Sequence, residues 1–134
     1  MVALTRAFGW HRPSSTPCGK SVPIGEAHAL LELSKAEALT QQELAERVNL
    51  RKSTVSRLIS NLEGRGWVER IRNTEDGRAW DVSLTASGRK AANDLAVSRA
   101  ARMEGILAAI PDGERQSVLA SLQTLIKAIH EHDL

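Results

Sequence analysis

Apolar residues recur with helical spacing between positions 55 and 62. They occupy positions i, i+3, i+4 and i+7, so they share one stripe of a helix. The stripe comprises Val55, Leu58, Ile59 and Leu62. The opposite side carries short polar side chains and an arginine, Ser53, Arg57 and Ser60, while Ser56 and Asn61 lie on the flanks of the stripe. Short donors beside a guanidinium can approach base edges and phosphates closely, so the pattern fits a helix that reads DNA. Taken alone it fits an ordinary amphipathic helix equally well, and the neighbouring elements decide between the two.

A shorter helix is predicted immediately before this one. Thr40 and Glu43 have the spacing of a capping box, in which each side chain pairs with the backbone N–H of the other residue. The buried side of this helix would consist of Leu44, Ala45 and Val48. Asn49 would end the helix in a left-handed conformation, and Leu50 would plug the turn that follows. Two short helices joined by a tight turn predict a helix-turn-helix.

Two strands are predicted after the helix pair. Gly66 would be the left-handed residue that ends the second helix. Segments 67–72 and 79–84 are rich in Val, Ile and Trp, as strands are. Asp76 and Gly77 lie in the six residues between them and favour a hairpin turn. A helix-turn-helix followed by a hairpin predicts a winged helix.

Several short motifs follow one another along these elements. They are Leu44-Ala45-Glu46-Arg47-Val48, Ser53-Thr54-Val55-Ser56-Arg57-Leu58-Ile59, Leu62-Glu63-x-x-Gly66-Trp67-Val68-x-Arg70, Asp76-Gly77-Arg78 and Leu84-Thr85-x-x-Gly88-Arg89. Together they resemble the MarR/SlyA family of bacterial transcription regulators, over roughly residues 27 to 130. Members of that family are homodimers whose recognition helix enters the major groove and whose wing arginine enters the minor groove. The resemblance implies that Arg78 is this wing-tip residue and that Asp76 orients the arginines of the wing.

The predicted DNA-binding surface combines the second helix with the hairpin. It comprises Arg51, Lys52, Ser53, Thr54, Ser56, Arg57, Ser60, Asn61, Arg72 and Arg78. Residues 51–80 contain seven Lys or Arg and four Asp or Glu, a local excess of +3, whereas the net charge of the whole chain is +2. Basic charge is therefore concentrated where the predicted interface with double-stranded DNA lies.

Two long helices are predicted at the C-terminal end. Thr85 would cap a helix from Ala86 to about Ala109, Pro111 would end it, and Asp112 would open a last helix to about His132. The last helix carries a broad apolar stripe of Val118, Leu119, Leu122, Leu125, Ile126 and Ile129. One small winged domain cannot cover such a stripe, so we expect it to form a homodimer interface.

The predicted fold class is mainly α with a small β-hairpin wing, a winged helix-turn-helix followed by long C-terminal dimerisation helices. We divide the chain into an N-terminal arm or short helix (1–23), a DNA-binding domain (24–85) and a helical dimerisation region (86–134). Val2, Leu4, Ala7 and Phe8 could form one or two helical turns in the arm. Relatives in the resembled family usually begin with a longer helix, so the contribution of this arm to the dimer is left open.

A sensing site near the N-terminus is a further hypothesis. A helix from Ile24 would place His28 on its buried side, in a stripe of Ile24, Ala27, His28 and Leu31. His28 is then either a hydrogen-bonded core histidine or part of an effector or redox site with Cys18, Glu26 or His11. In the resembled family, effectors and metals bind near this helix, and peroxide sensing uses a cysteine near the N-terminus.

Cys18 has three interpretations: an inert thiol, a redox switch or a metal ligand. Lys20, two residues further on, could favour the thiolate. None of the His, Cys, Asp or Glu spacings is a recognised metal pattern, so no metal and no cofactor is predicted. One cysteine excludes an intrachain disulfide and fits a reducing compartment.

Length and composition narrow the class of protein. A chain of 134 residues with 42% hydrophobic and 25% charged residues is typical of one globular domain. No apolar run approaches the ~20 residues of a membrane span, and no leader precedes the first helix, so we expect a cytoplasmic protein without membrane association. There is no GxSxG or HExxH motif and no second cysteine, which argues against an enzyme.

The sequence therefore predicts a homodimeric DNA-binding transcription regulator that represses from an inverted repeat. The resemblance implies release by a phenolic or lipophilic small molecule that binds between the dimer helices and the winged domain. One alternative is a regulator that senses oxidants through Cys18. The other is a winged-helix module that binds proteins and no DNA, although such a module would expose Leu, Phe or Tyr on its second helix.

Overall fold

A computed structural model describes residues 1–132. In chain order its elements are α1 (Val2–Phe8), α2 (Ile24–Leu33), β1 (Leu39–Thr40), α3 (Gln41–Val48), α4 (Lys52–Gly64), β2 (Val68–Arg72), β3 (Trp80–Leu84), α5 (Ala86–Ala109) and α6 (Asp112–His132). The predicted fold class, mainly helical with a hairpin wing, is confirmed. The last two residues of the predicted dimerisation region, 133 and 134, lie outside the described residues.

The chain forms two compact units, one from Met1 to Arg99 and one that begins at Ala100. In the first unit, α2, α3, α4 and the sheet enclose a hydrophobic core. Its fully buried side chains are Leu30, Leu33, Leu44, Val55, Ile59, Leu62 and Val82. The predicted stripe of α4 is thus confirmed as its core-facing side, with Leu58 partly buried beside it. No helix within residues 1–132 has the length and apolar character that a membrane span requires.

The sheet has three antiparallel strands in the order β1-β3-β2, and the sequence predicted only the two strands of the hairpin, β2 and β3. The additional strand is short: Leu39 pairs with Val82, and Thr40 pairs with Asp81. Two residues are too few to show strand periodicity, which explains why the strand was missed. It connects the wing directly to the beginning of α3, because Thr40 is also the N-cap of that helix.

Both ends of α3 are fixed by local hydrogen bonds, and the second end forms the turn to α4. Thr40 Oγ1 accepts from the Glu43 N–H at 3.1 Å, and Glu43 Oε2 accepts from the Thr40 N–H at 2.8 Å, which confirms the capping box. Asn49 ends α3 with φ 53°, as predicted. Leu50 does not plug the turn, since it is 39% exposed. Its N–H donates to the Ala45 carbonyl at 3.0 Å, so the turn is held without a buried side chain.

The predicted buried face of α2 was wrong at His28, whereas Ala27 is buried and Leu31 packs against the core. His28 is exposed, and the helix buries Glu26, Ala27, Ala29, Leu30 and Leu33. The helix packs against both α3 and α4, so its buried face is broad and centred on Leu30. The run from Ala27 to Leu31 is apolar at every position except His28, and such a run does not fix the rotation of a helix.

The first turn of α5 is joined to the base of the wing. The Thr85 N–H donates to the Trp67 carbonyl at 3.0 Å, and Thr85 Oγ1 donates to the Gly66 carbonyl at 2.6 Å. The same hydroxyl accepts from the Gly88 N–H at 3.1 Å, as predicted for the cap of this helix. A β-carbon at Gly88 would lie 1.9 Å from the Trp67 carbonyl oxygen. The motif Leu84-Thr85-x-x-Gly88 therefore forms a joint that only glycine allows.

Candidate nucleic-acid interface

The polar side of α4 is open to solvent. Ser53, Arg57 and Ser60 are exposed, as predicted, while Thr54 and Ser56 are half-buried. Arg51, at the N-cap, and Lys52 are also exposed. Among residues 1–132, no side chain forms a hydrogen bond or ion pair with the Lys52 ammonium or the Arg57 guanidinium. Two cations beside short hydroxyl groups therefore remain available to a polyanionic partner.

One member of the predicted surface, Asn61, points instead toward α2. Its amide nitrogen donates to Glu26 Oε1 at 3.0 Å, and the Arg65 Nε donates to Glu26 Oε2 at 3.0 Å. Glu26 is 4% exposed, so its carboxylate is buried with both oxygens paired. Arg65 also lies over the Trp67 ring, 5.0 Å from the centroid. This network fixes the C-terminal end of α4 against α2.

Sequence reasoning missed Arg65 and proposed Glu26 as an effector or redox candidate. The ion pair joins residues that lie 39 positions apart, so no local spacing reveals it. The structure shows that both Glu26 oxygens are already occupied by partners from the same chain. The position therefore has a clear structural role in orienting α4.

Replacing Arg65 with alanine should lower the free energy of unfolding by about 2–3 kcal/mol, because the Glu26 carboxylate would remain buried without a charged partner. The expected loss is at the lower end for buried pairs because the Arg65 side chain is 36% exposed. Urea denaturation would measure it. Lys35→Ala is the control, since it breaks a solvent-exposed pair with Glu32 and should cost less than about 1 kcal/mol. If Arg65→Ala and Lys35→Ala lose the same free energy of unfolding, the burial of Glu26 does not make its ion pair more important for stability.

The wing loop is shaped by two side chains that bind its backbone. Asn73 Oδ1 accepts from the N–H groups of Glu75 and Asp76 at 2.8 and 3.0 Å, and Asn73 Nδ2 donates to Asp81 Oδ1 at 2.9 Å. Asp76 Oδ1 accepts from the Arg78 N–H at 3.0 Å. The loop is therefore an ordered turn that presents Arg78 at the tip.

Asp76 has a more indirect role than the resemblance implied. Its carboxylate binds the Arg78 backbone, and the Arg78 guanidinium makes no hydrogen bond or ion pair within residues 1–132. Arg72 is held by other groups. Its Nη1 donates to the Gly77 carbonyl, and its guanidinium lies over the Trp80 ring. Asp76 thus shapes the loop backbone. The Arg72 guanidinium is held by two contacts, whereas the Arg78 guanidinium has none within residues 1–132.

Cys18 lies in a tight loop at the edge of the core. It is half-buried, and its Sγ lies 2.9 Å from Thr16 Oγ1. Thr16 is buried, and its hydroxyl also accepts from the Lys20 N–H at 3.1 Å. Within residues 1–132, no group of three or more His, Cys, Asp or Glu side chains is placed to hold a metal ion.

His28 and Glu26 lie in different environments on α2. His28 lies on the exposed side of α2, whereas Glu26 is buried and paired with α4. Partial desolvation and the positive charge of Arg99 lower the pKa of His28 below its ordinary value, although Glu32 acts in the opposite direction. The net lowering of the His28 pKa favours the uncharged imidazole.

The apolar stripe of α6 has no cover within its own compact unit. Leu119, Leu122, Leu125, Ile126 and Ile129 are each 38–53% exposed, and Val118 is half-buried. None of the residues of α6 is buried. Branched apolar side chains in such a row favour association with another apolar surface.

The helix-turn-helix, its open polar face and the hairpin place the chain among winged helix-turn-helix proteins. Residues 22–80 match the model of the MarR family. The resemblance stated from the sequence is thereby confirmed.

The relatives of the chain are named as regulators. Over 103 residues it is 29% identical to an uncharacterised HTH-type transcriptional regulator of Bacillus cereus, covering 77% of this chain and 66% of the relative. The chain thus spans slightly less than two thirds of that relative's length.

Two solved structures share the fold. Streptococcus pneumoniae FabT in complex with DNA is 23% identical, with a TM-score of 0.76 over 97% of this chain and 89% of FabT. The Streptomyces coelicolor regulator PcaV in complex with its natural ligand is 22% identical, with a TM-score of 0.74 over 96% and 89% of the two chains. At these identities the similarity shows the fold alone.

Proposed function

We propose that this protein is a homodimeric, sequence-specific DNA-binding transcription regulator that acts as a repressor. The observation that carries the proposal is the exposed face of α4, where Lys52 and Arg57 have no partner in the described chain and lie beside Ser53 and Ser60. Support also comes from the match to the MarR family model and from the structural similarity to FabT, which was solved with DNA. The exposed face would enter the major groove, with Ser53 and Arg57 at base edges or adjacent phosphates.

A two-fold dimer would set the spacing between two such helices. The uncovered stripe of α6 supports pairing with a second copy of the chain. Each copy would read one half of an inverted repeat, with half-sites about one helical turn apart. Arg78, at the tip of the ordered wing loop, would enter the minor groove and respond to its width.

Replacing Arg78 with alanine should weaken DNA binding about tenfold and reduce the slope of log K against log salt by about one unit for each wing that loses its contact. The guanidinium has no partner within residues 1–132, so the substitution should leave the fold unchanged. Fluorescence anisotropy titrations at several salt concentrations would measure both quantities. The control is Lys127→Ala in α6, which removes one positive charge from the other compact unit and should change neither the DNA affinity nor the salt slope. An unchanged affinity and slope for Arg78→Ala would remove the wing tip from the interface.

The proposed regulator would be released from DNA by a small phenolic or lipophilic molecule. The structural similarity to PcaV, which was solved with its natural ligand, supports regulation by a bound ligand. Such a molecule can act only if it binds one relative arrangement of the two recognition helices more tightly than the other. Oxidation of Cys18 is the second candidate signal, and the thiol is half-buried with the Thr16 hydroxyl 2.9 Å from its sulfur.

A further inference from the structure

The wing carries an exposed tryptophan whose ring lies against an arginine. Trp80 opens β3 and is 45% exposed, although large aromatic side chains are usually covered. The guanidinium carbon of Arg72 lies 4.6 Å from the centroid of a Trp80 ring. The Nη1 of Arg72 also donates to the Gly77 carbonyl. The two contacts hold a long side chain that would otherwise sample many rotamers.

The strand register places this pair on the face of the hairpin that meets the recognition helix. Alternate positions of paired strands share a face, and the relevant pairs are Val68 with Leu84, Arg70 with Val82 and Arg72 with Trp80. The first pair lies in the core. In the second pair, Arg70 Nε donates to Glu63 Oε1 of α4 at 3.0 Å. Arg72 and Trp80 are therefore the next pair outward on the same face.

The charge of Arg72 is not neutralised by a carboxylate of the described chain. The neighbouring Asp81 is bonded to Asn73 instead. The contact between the Arg72 guanidinium and the Trp80 ring is also a cross-strand pair, which contributes modestly to the stability of the hairpin. An arginine that must meet an anion gains from being ordered beforehand, because less side-chain freedom is lost on binding.

We propose that Trp80 is a positioning residue that holds the Arg72 guanidinium in the orientation in which it contacts the DNA backbone or minor-groove edge. The inference rests on the proposed DNA-binding function and adds a residue that was not predicted from the sequence. The wing then presents two different arginines. Arg72 is ordered on the tryptophan ring, and Arg78 at the tip adapts to the groove.

A double-mutant cycle tests the inference with a duplex that the wild-type protein selects from a random pool. Trp80→Leu keeps an apolar side chain and removes the aromatic face, so binding should weaken about tenfold over the two wings of a dimer. Trp80→Phe keeps an aromatic face and should lose only about threefold. In the Arg72→Ala background, Trp80→Leu should weaken binding no further, because the ring acts only through Arg72. Ile71→Ala, which removes another exposed apolar side chain of the hairpin, is the control and should change binding less than twofold.

Several outcomes would overturn the inference. If the losses of DNA affinity in Arg72→Ala and Trp80→Leu multiply in the double variant, the ring acts independently of Arg72, through DNA or through folding. Equal losses in Trp80→Leu and Ile71→Ala would show a general effect of the hairpin surface. Thermal unfolding of each variant checks the fold, and the Trp80→Phe cycle decides the question if Trp80→Leu does not fold. Failure of the wild-type protein to bind any duplex would refute the proposed function itself, which distinguishes the two failures.

Discussion

Replacing Gly88 with alanine should destabilise the protein by about 3 kcal/mol or more, at the upper end of overpacking effects. The added β-carbon would lie 1.9 Å from the Trp67 carbonyl oxygen and 2.8 Å from its carbon. These are backbone atoms, and the same carbonyl accepts a hydrogen bond from the Thr85 N–H. Relief of the clash would therefore have to separate the base of the wing from the first turn of α5.

Gly64→Ala is the matched control for Gly88→Ala. Gly64 is the last residue of α4, and a β-carbon there would meet no atom within 4 Å. Because alanine is the better helix former, the control should be unchanged or gain up to about 1 kcal/mol. Urea denaturation of both variants, followed by circular dichroism, gives the comparison. A Gly88→Ala protein as stable as wild type would contradict the described joint between wing and helix.

Replacing Ile126 with aspartate should convert the protein to a monomer and weaken operator binding by about 100-fold or more, because the second half-site would no longer be bound within one complex. Ile126 is 53% exposed in the single chain, so the substitution should hardly affect the fold of one copy. In a dimer, two carboxylates would be buried in an apolar interface without partners.

Ala120→Asp provides the control for the interface. Ala120 is exposed and lies on the side of α6 opposite the apolar stripe, so the same carboxylate would remain in water. Sedimentation equilibrium at micromolar concentration would compare the two variants with the wild-type protein. A dimeric Ile126→Asp protein, or an equal response in both variants, would show that the stripe does not form the interface.

Features specified by neighbouring residues could be predicted from the sequence. The apolar stripe of α4, the capping box of Thr40 and Glu43 and the bounds of α5 and α6 agree with the structure because each rests on spacings of a few residues. The hairpin strands were predicted to within one residue for the same reason. The polar face of α4 follows directly from its buried stripe, since a helix has only one opposite side.

Features that depend on distant residues could not be predicted. The rotation of α2 is set by packing against α3 and α4, so the prediction that His28 is buried was wrong. The partners of Glu26 lie 35 and 39 residues away, and β1 is visible only through its pairing with β3. The ring of Trp80 was read only as a strand former, because its contact with Arg72 arises from cross-strand register.

Selection of duplexes from a random oligonucleotide pool by the purified wild-type protein would show whether it is a dimeric, sequence-specific DNA-binding protein. We expect enrichment of an inverted repeat whose half-sites lie about one helical turn apart. We also expect one dimer bound per duplex and a loss of affinity as salt rises. Recovery of a pool without sequence preference, or of single half-sites bound by monomers, would refute the proposed function.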